Sequence, residues 1–279
     1  MTKECYTMLM PPFLSVVIPT LNEEQFLPHL LSDLSGQTEK DFEVIVVDGK
    51  SDDNTRGVSD RHKNLEVKFF TSKKRNVSTQ RNMGAEKAQG KYILFIDADS
   101  RIDDSFISIL KPILDKEKYL IVIPTAIPDT NTPTEHVYVR LSNYAVELSQ
   151  FTTKPFSNGG NFIFERNVFH HIGGFDESLY LSEDHEIVQR AKRIGVNARY
   201  LKDVVFVFSM RRFQKDGTMS ILGKYSFSFL YTLAKGGVDK KIFDYEMGGG
   251  RYAKKDVKKK FNEFKKLYEQ FFGSVEDLM

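Results

Sequence analysis

Short apolar runs alternate with amphipathic stretches through the first half of the chain. Phe13–Pro19, Phe42–Asp48, Leu65–Phe70, Tyr92–Asp97 and Leu120–Pro124 are rich in β-branched or aromatic residues and have the length of strands. Val44-Ile45-Val46-Val47 and Ile93-Leu94-Phe95-Ile96 are apolar at every position, as strands covered on both faces by helices must be. After Asn22, a residue suited to an N-cap, Phe26, Leu27, Leu30, Leu31 and Leu34 recur at helical spacing, with Gly36 as the stop. A second helix is predicted over Gly84–Ala88, ended by Gly90. Strand, helix, strand, helix implies right-handed crossovers and a mostly parallel central sheet flanked by helices, an α/β fold. Ligands of such sheets bind beyond the carboxyl ends of the strands. The polar segments Thr20–Glu24, Asp48–Thr55 and Asp97–Arg101 all fall there.

The rhythm changes from Asp129. Glu135–Gln150 reads as a helix, Ser157-Asn158-Gly159-Gly160-Asn161 as a turn-rich loop, and Phe162–Phe164 as a short strand. A helix, the Gly173-Gly174 turn, a helix over Glu183–Ile194 and a last strand over Val204–Phe208 follow. Past Met210 the chain becomes aromatic-rich, then Gly-rich, then Lys-rich. The domain boundary is expected at residue 215, with residues 216–279 a small helical extension.

A chain of 279 residues, 41% hydrophobic, suits one large domain or one domain with an appendage. A net charge of +2 provides no broad basic face, so nucleic acid is not an expected partner. Cys5 is the only cysteine, which excludes an intrachain disulfide and a cysteine-rich metal site. Residues 1–12 lack the apolar core of a signal peptide, and no stretch reaches the roughly 18 apolar residues of a membrane span. A cytoplasmic protein, soluble or on the inner face of a membrane, is the expectation.

Asp97-Ala98-Asp99 ends a predicted strand. Residues i and i+2 share a strand face with side chains roughly 6–7 Å apart. Two carboxylates so placed repel unless a cation lies near them. Mn²⁺ or Mg²⁺, with hard oxygen ligands and positions left for phosphate, would serve. An acidic strand end facing water is the plainer alternative.

The surrounding motifs sharpen the reading. Ser15-Val16-Val17-Ile18-Pro19-Thr20-Leu21-Asn22-Glu23-Glu24, Val46-Val47-Asp48-Gly49-Lys50-Ser51-Asp52-Asp53, Arg81-Asn82-Met83-Gly84-Ala85 and the segment Gly90 to Asp99 come first. Asn158-Gly159-Gly160-Asn161-Phe162, Gly173-Gly174-Phe175-Asp176-Glu177 and Glu183-Asp184-His185-Glu186 follow. In this order the chain resembles the inverting glycosyltransferases of family 2, over roughly residues 13 to 212. The resemblance implies a Rossmann-like GT-A fold in residues 1–215 and transfer of a sugar from a UDP- or GDP-linked donor to an acceptor hydroxyl. It implies that Pro19, Thr20, Asn22 and Glu23 or Glu24 line the base and ribose pocket and that Asp48 contacts the nucleoside. Asp97, Ala98 and Asp99 would hold the metal and diphosphate, Arg81 would reach the diphosphate from a helix start, and Asp184 would be the catalytic base. Glu183 and His185 would stand beside the acceptor, and Asn158, Gly159 and Gly160 would let backbone approach the sugar. Asp53 is as well explained by turn chemistry as by base recognition. The Glu183-Asp184 pair also suits a helix N-terminus, where the dipole favours carboxylates.

Arg211 and Arg212 fall where related enzymes carry a basic-aromatic segment that closes over the diphosphate, but the usual tryptophan is absent. Clamps on the leaving group and outward-pointing arginines both remain open for them. Two other functions compete. A sugar-phosphate nucleotidyltransferase needs a Gly-rich loop after the first strand, where this chain has Pro19-Thr20-Leu21-Asn22. A binding module without turnover would not need Asp97, Asp99 and Asp184 together. The acceptor stays open between a glycan, a lipid-linked molecule and a small molecule. Val257, Phe261, Phe264, Tyr268 and Phe271 form an apolar helical stripe among lysines, suited to packing on the domain or to peripheral membrane contact through residues 221–272.

Overall fold

The computed structural model describes residues 11–61 and 65–216, together with Lys224 and Tyr231. The 216–279 extension and the 221–272 stripe lie otherwise outside the described residues.

Eight strands form one mixed sheet in the order β3-β2-β1-β4-β7-β6-β8-β5. β1 (Leu14–Thr20) lies parallel between β2 (Phe42–Asp48) and β4 (Tyr92–Phe95), and β3 (Val67–Thr71) adds in parallel outside β2. β7 (Phe162–Glu165) runs antiparallel between β4 and β6 (Ile121–Pro128). β8 (Ala198–Phe208) is parallel to β6, and the two-residue β5 (Arg101–Ile102) closes the far edge in the antiparallel sense.

The continuous apolar runs are explained by two cores, one on each face. Val16, Ile18, Val44, Val46 and Leu94 point into the first, under α1 (Leu27–Gly36) and α4 (Phe106–Glu117). Val17, Ile45, Val47, Ile93 and Phe95 point into the second. There they meet Ala85 of α3 (Val77–Lys87), Phe169 of α6 (Arg166–His171), and Ile187 and Val188 of α7 (Glu183–Arg193). The period-two alternation of the pleat divides each strand between the cores.

Several boundaries differ from the sequence expectation. Asn22 does not cap α1: the helix begins at Leu27 with Pro in its first turn, where the missing N–H costs nothing. Asn22 instead adopts φ 57° and accepts from the Asp52 N–H at 2.7 Å, tying two loops together. α3 begins at Val77, not Gly84, and is capped by Asn76, which accepts from the Thr79 N–H at 2.9 Å. Gly84 lies within the helix because a Cβ there would collide with Val17. Gly90 does not end the helix but sits against the β1 backbone, where a Cβ would lie 2.6 Å from the Ser15 nitrogen. α5 (Pro133–Ser149) fills the helix expected over 135–150. α2 (Thr55–Ser59) and α8 (Arg211–Asp216) are short additions, the latter running across the boundary expected at 215.

Candidate active site

The carboxyl ends of β1 and β4 meet the loop before β7 and the start of α7 around one cavity of about 740 Å³. Pro19, Thr20 and Glu23 line it from the end of β1, Asp97, Ala98 and Asp99 from the end of β4. Asn158, Gly159, Gly160, Glu183, Asp184 and His185 line it from the opposite side, and Arg81, Arg211 and Arg212 contribute cations. Asn22, Asp48 and Asp53 are not in its lining.

Those three acidic and amide side chains hold the loops that shape the wall. Asp48 accepts from the Ser51 N–H at 2.9 Å and from the Thr20 hydroxyl at 3.2 Å. Asp53 accepts from the Glu24 N–H and from the Thr55 N–H, each at 3.0 Å. Asp53 thus performs the turn chemistry that its sequence context allows. Asn22, Lys50 and Ser182 have positive φ without being glycine. Lys118, at the end of α4, does so too, and of these four only Ser182 lines the cavity.

Asp97 and Asp99 do not share a single partner. Asp97 Oδ1 accepts from Arg81 Nη2 at 2.9 Å, while Asp99 pairs with Arg211 Nε at 2.7 Å. Arg211 also clasps Glu23 through both terminal nitrogens, at 2.9 and 2.7 Å, and lies 4.5 Å above the Phe26 ring. Burial pushes the Glu23 carboxyl up to about 7, against the pull of Arg211 and with added repulsion from Asp99 and Asp97. Burial also raises Asp99, with Arg211 opposing and Asp97 reinforcing the shift. Arg211 is therefore directed at the Glu23 and Asp99 carboxylates of the cavity rather than outward.

Arg81 sits in the second turn of α3 rather than at its start. Its Nη1 donates to Glu183 Oε1 at 2.8 Å, so it spans from Asp97 to the first residue of α7. Burial disfavours its charge, but Asp97 and Glu183 more than compensate and hold it above the ordinary arginine value. Burial raises Glu183, Arg81 draws it back, and the Asp184 charge adds to the rise.

Asp184 is 8% exposed in the first turn of α7. His185 Nδ1 stands 3.3 Å from Asp184 Oδ2 and accepts from the Ser157 N–H at 3.3 Å. Phe156 packs edge-on against the imidazole. The Asn158–Asn161 loop comes close to the strand end, as its glycines suggest. A Cβ on Gly160 would collide with Arg81 and lie 2.6 Å from an Asp97 oxygen.

Two supporting residues escaped the sequence reading. Asn161 accepts from the Asp97 N–H at 2.8 Å, fixing the acidic strand end. Gln80 donates to the carbonyls of Thr20 and Val47 at 2.7 and 2.8 Å, stapling β1 to β2 at their carboxyl ends. Asn161 closes a quoted motif and was within reach, whereas Gln80 has no sequence signal.

Solved glycosyltransferase structures share this architecture. The mannosyltransferase PcManGT from Pyrobaculum calidifontis, in complex with GDP-Man and Mn²⁺, aligns with a TM-score of 0.65 at 18% identity, covering 82% of this chain and 66% of that one. Staphylococcus aureus TarS 1-349 in complex with UDP-GlcNAc aligns at 0.60 and 17% identity, covering 92% and 73%. The fold is thus that of the GT-A glycosyltransferases. Residues 15–173 match glycosyl transferase family 2, and the chain belongs to that family, as an enzyme of the glycosyltransferase class. In sequence it is 33% identical over 94 residues to the poly(ribitol-phosphate) beta-N-acetylglucosaminyltransferase TarS of S. aureus, which is 32% of this chain and 16% of that protein. It is 31% identical over 106 residues to a GalNAc(5)-diNAcBac-PP-undecaprenol beta-1,3-glucosyltransferase of Campylobacter jejuni, 36% of this chain and 33% of that one. The matched segments thus span a third or less of these relatives.

Among the described residues no helix is long and apolar enough to cross a membrane.

Proposed function

We propose that the chain is an inverting, divalent-metal-dependent transferase that moves a sugar from a nucleoside-diphosphate sugar to an acceptor hydroxyl. The observation that carries this reading is the placing of Asp97-Ala98-Asp99 and Asp184 on one cavity, on the walls formed by β4 and α7. Asp184 takes the proton from the acceptor hydroxyl as that oxygen attacks the anomeric carbon from the face opposite the leaving diphosphate. Thr20, Glu23 and the loops tied by Asp48 and Asn22 form the nucleoside side, and Gly159 and Gly160 let backbone approach the sugar. Arg211 and Arg212 lie within reach of the departing charge.

The donor set fits a hard divalent ion. Asp97 and Asp99 bring carboxylate oxygens, the donor type that Mg²⁺ and Mn²⁺ take, to the one cavity. Asp97 and Asp99 would hold Mn²⁺ or Mg²⁺. Bound there, the ion supplies neutralisation of the charge gathering on the diphosphate.

The relatives named above act on a poly(ribitol phosphate) and an undecaprenol-linked glycan, and a further one is a cholesterol galactosyltransferase. No acceptor class is common to them, so a glycan, a lipid-linked molecule and a small molecule all belong in the screen. The test is release of nucleoside diphosphate from a panel of UDP- and GDP-sugars with Mn²⁺, with and without EDTA. Metal-dependent release from one donor, lost in Asp99→Ala, supports the proposal. Binding of no nucleotide under any metal condition would sink it.

A further inference from the structure

Arg81 belongs to α3, yet its side chain reaches both walls of the cavity. Its two terminal nitrogens part ways, Nη1 to Glu183 at 2.8 Å and Nη2 to Asp97 at 2.9 Å. The rest of the group is enclosed. Its Cζ lies 5.4 Å from the centre of the Phe175 ring, and Gly160 covers it so closely that a Cβ would strike Nη2. Only 3% of the side chain is exposed, so it offers little surface to an incoming phosphate. Nε is buried without a hydrogen-bond partner, so the guanidinium is placed for its two terminal contacts.

We propose that Arg81 is a positioning residue that locks Asp97 of the donor side to Glu183 of the acceptor side and thereby seats Asp184, rather than a ligand of the donor diphosphate. The proposal rests on the donor and acceptor roles argued above. A guanidinium is a rigid planar fork that can serve two carboxylates at once, which a lysine ammonium on a flexible stem cannot do in the same geometry. Because Glu183 directly precedes Asp184 in the first turn of α7, a shift of one moves the other.

The test uses Arg81→Lys, Glu183→Gln, Asp97→Asn and their pairwise combinations, with thermal unfolding as the control for folding. Binding of UDP and GDP with Mn²⁺ is measured by calorimetry, and turnover by diphosphate release. In Arg81→Lys, nucleotide affinity is expected to stay close to wild type while kcat falls about 100-fold, the scale of a misplaced catalytic group. The combination with Glu183→Gln should lose no more than Arg81→Lys alone. If Arg81→Lys does not fold, Asp97→Asn and Glu183→Gln carry the cycle, since their losses must be non-additive when Arg81 links them. Nucleotide affinity falling roughly tenfold or more in Arg81→Lys with kcat retained, as for a lost hydrogen bond to phosphate, would overturn the proposal. Additive losses would do the same. A wild-type protein binding neither nucleotide overturns the donor reading alone. The Arg81 side-chain NMR signals then decide: distinct, slowly exchanging Nη protons that average in Glu183→Gln support the lock, and averaged ones in the wild type refute it.

Discussion

Arg211, the first residue of α8, pairs through Nε with Asp99 at 2.7 Å, so a cation from α8 rests on the carboxylate that closes the Asp97-Ala98-Asp99 motif. The same guanidinium clasps Glu23, which lies after β1. Removing it would strand two buried acids. Breaking a buried pair by deleting one partner costs about 3 kcal/mol or more. Arg211→Ala should therefore unfold roughly 6–12 °C below the wild type in EDTA. Mn²⁺ would replace the lost charge beside Asp99, so it should raise the midpoint of the variant more than that of the wild type. Equal shifts in a metal-titrated thermal melt would show that Arg211 and a bound metal do not share Asp99.

Asp184→Asn keeps the size of the side chain and the start of α7 but cannot accept the acceptor proton. A positioned base contributes about 10²–10⁴ in rate. Transfer should fall by that factor while nucleotide binding stays near wild type, because Asp184 lines the cavity from α7, across from Thr20 and Asp97. Parallel calorimetry and transfer assays would check this, and unchanged transfer would remove Asp184 from the reaction.

Most of the sheet was legible because strands buried on both faces must be apolar throughout, as Val44–Val47 and Ile93–Ile96 are. The start of α3 was not. Ser78, Gln80 and Arg81 are buried polar residues, so the first half of that helix has no apolar stripe to read. β5, with two residues, is too short to show a period. β8 begins six residues before the expected Val204, because its first half is largely polar and exposed at the surface. The order of the site motifs could be read along the chain. Their pairings could not: Arg81 meets Glu183 across 102 residues and Arg211 meets Glu23 across 188, and only the folded sheet brings them together.

Two glycine substitutions should separate fold from site. A Cβ on Gly90 would sit 2.6 Å from the Ser15 nitrogen and 2.7 Å from the Leu14 carbonyl carbon, backbone atoms of a central strand that cannot easily move. Gly90→Ala should cost about 1–3 kcal/mol of stability, as overpacking does, with activity per folded molecule retained. A Cβ on Gly160 meets the Arg81 guanidinium and the Asp97 carboxylate instead. Gly160→Ala presses on a buried ion pair, so it should lower stability as well, but unlike Gly90→Ala it should also lower kcat about 100-fold per folded molecule by moving those groups. Chemical denaturation beside steady-state kinetics on both variants tests the contrast, and a kinetic defect in Gly90→Ala without a stability loss would contradict it.

Glu23 also gives the protein a pH dependence of defined sign. Its carboxyl is raised from 4.5 to about 7 in the folded state, by burial first and by the Asp99 and Asp97 charges in addition, against the opposing Arg211. Between those values the folded protein holds a proton that the unfolded chain releases. Stability from this group is therefore complete below about 4.5 and is lost as the pH rises through about 7. Glu23→Gln has no such proton to lose. The stability of the wild type relative to this variant should fall between pH 5 and pH 8 by an amount on the order of 2–3 kcal/mol, the scale of a shift of this size. Urea unfolding of both proteins across that range measures the difference directly. A wild type that gains stability over Glu23→Gln as the pH rises would mean that Arg211, and not burial, governs the ionisation of Glu23.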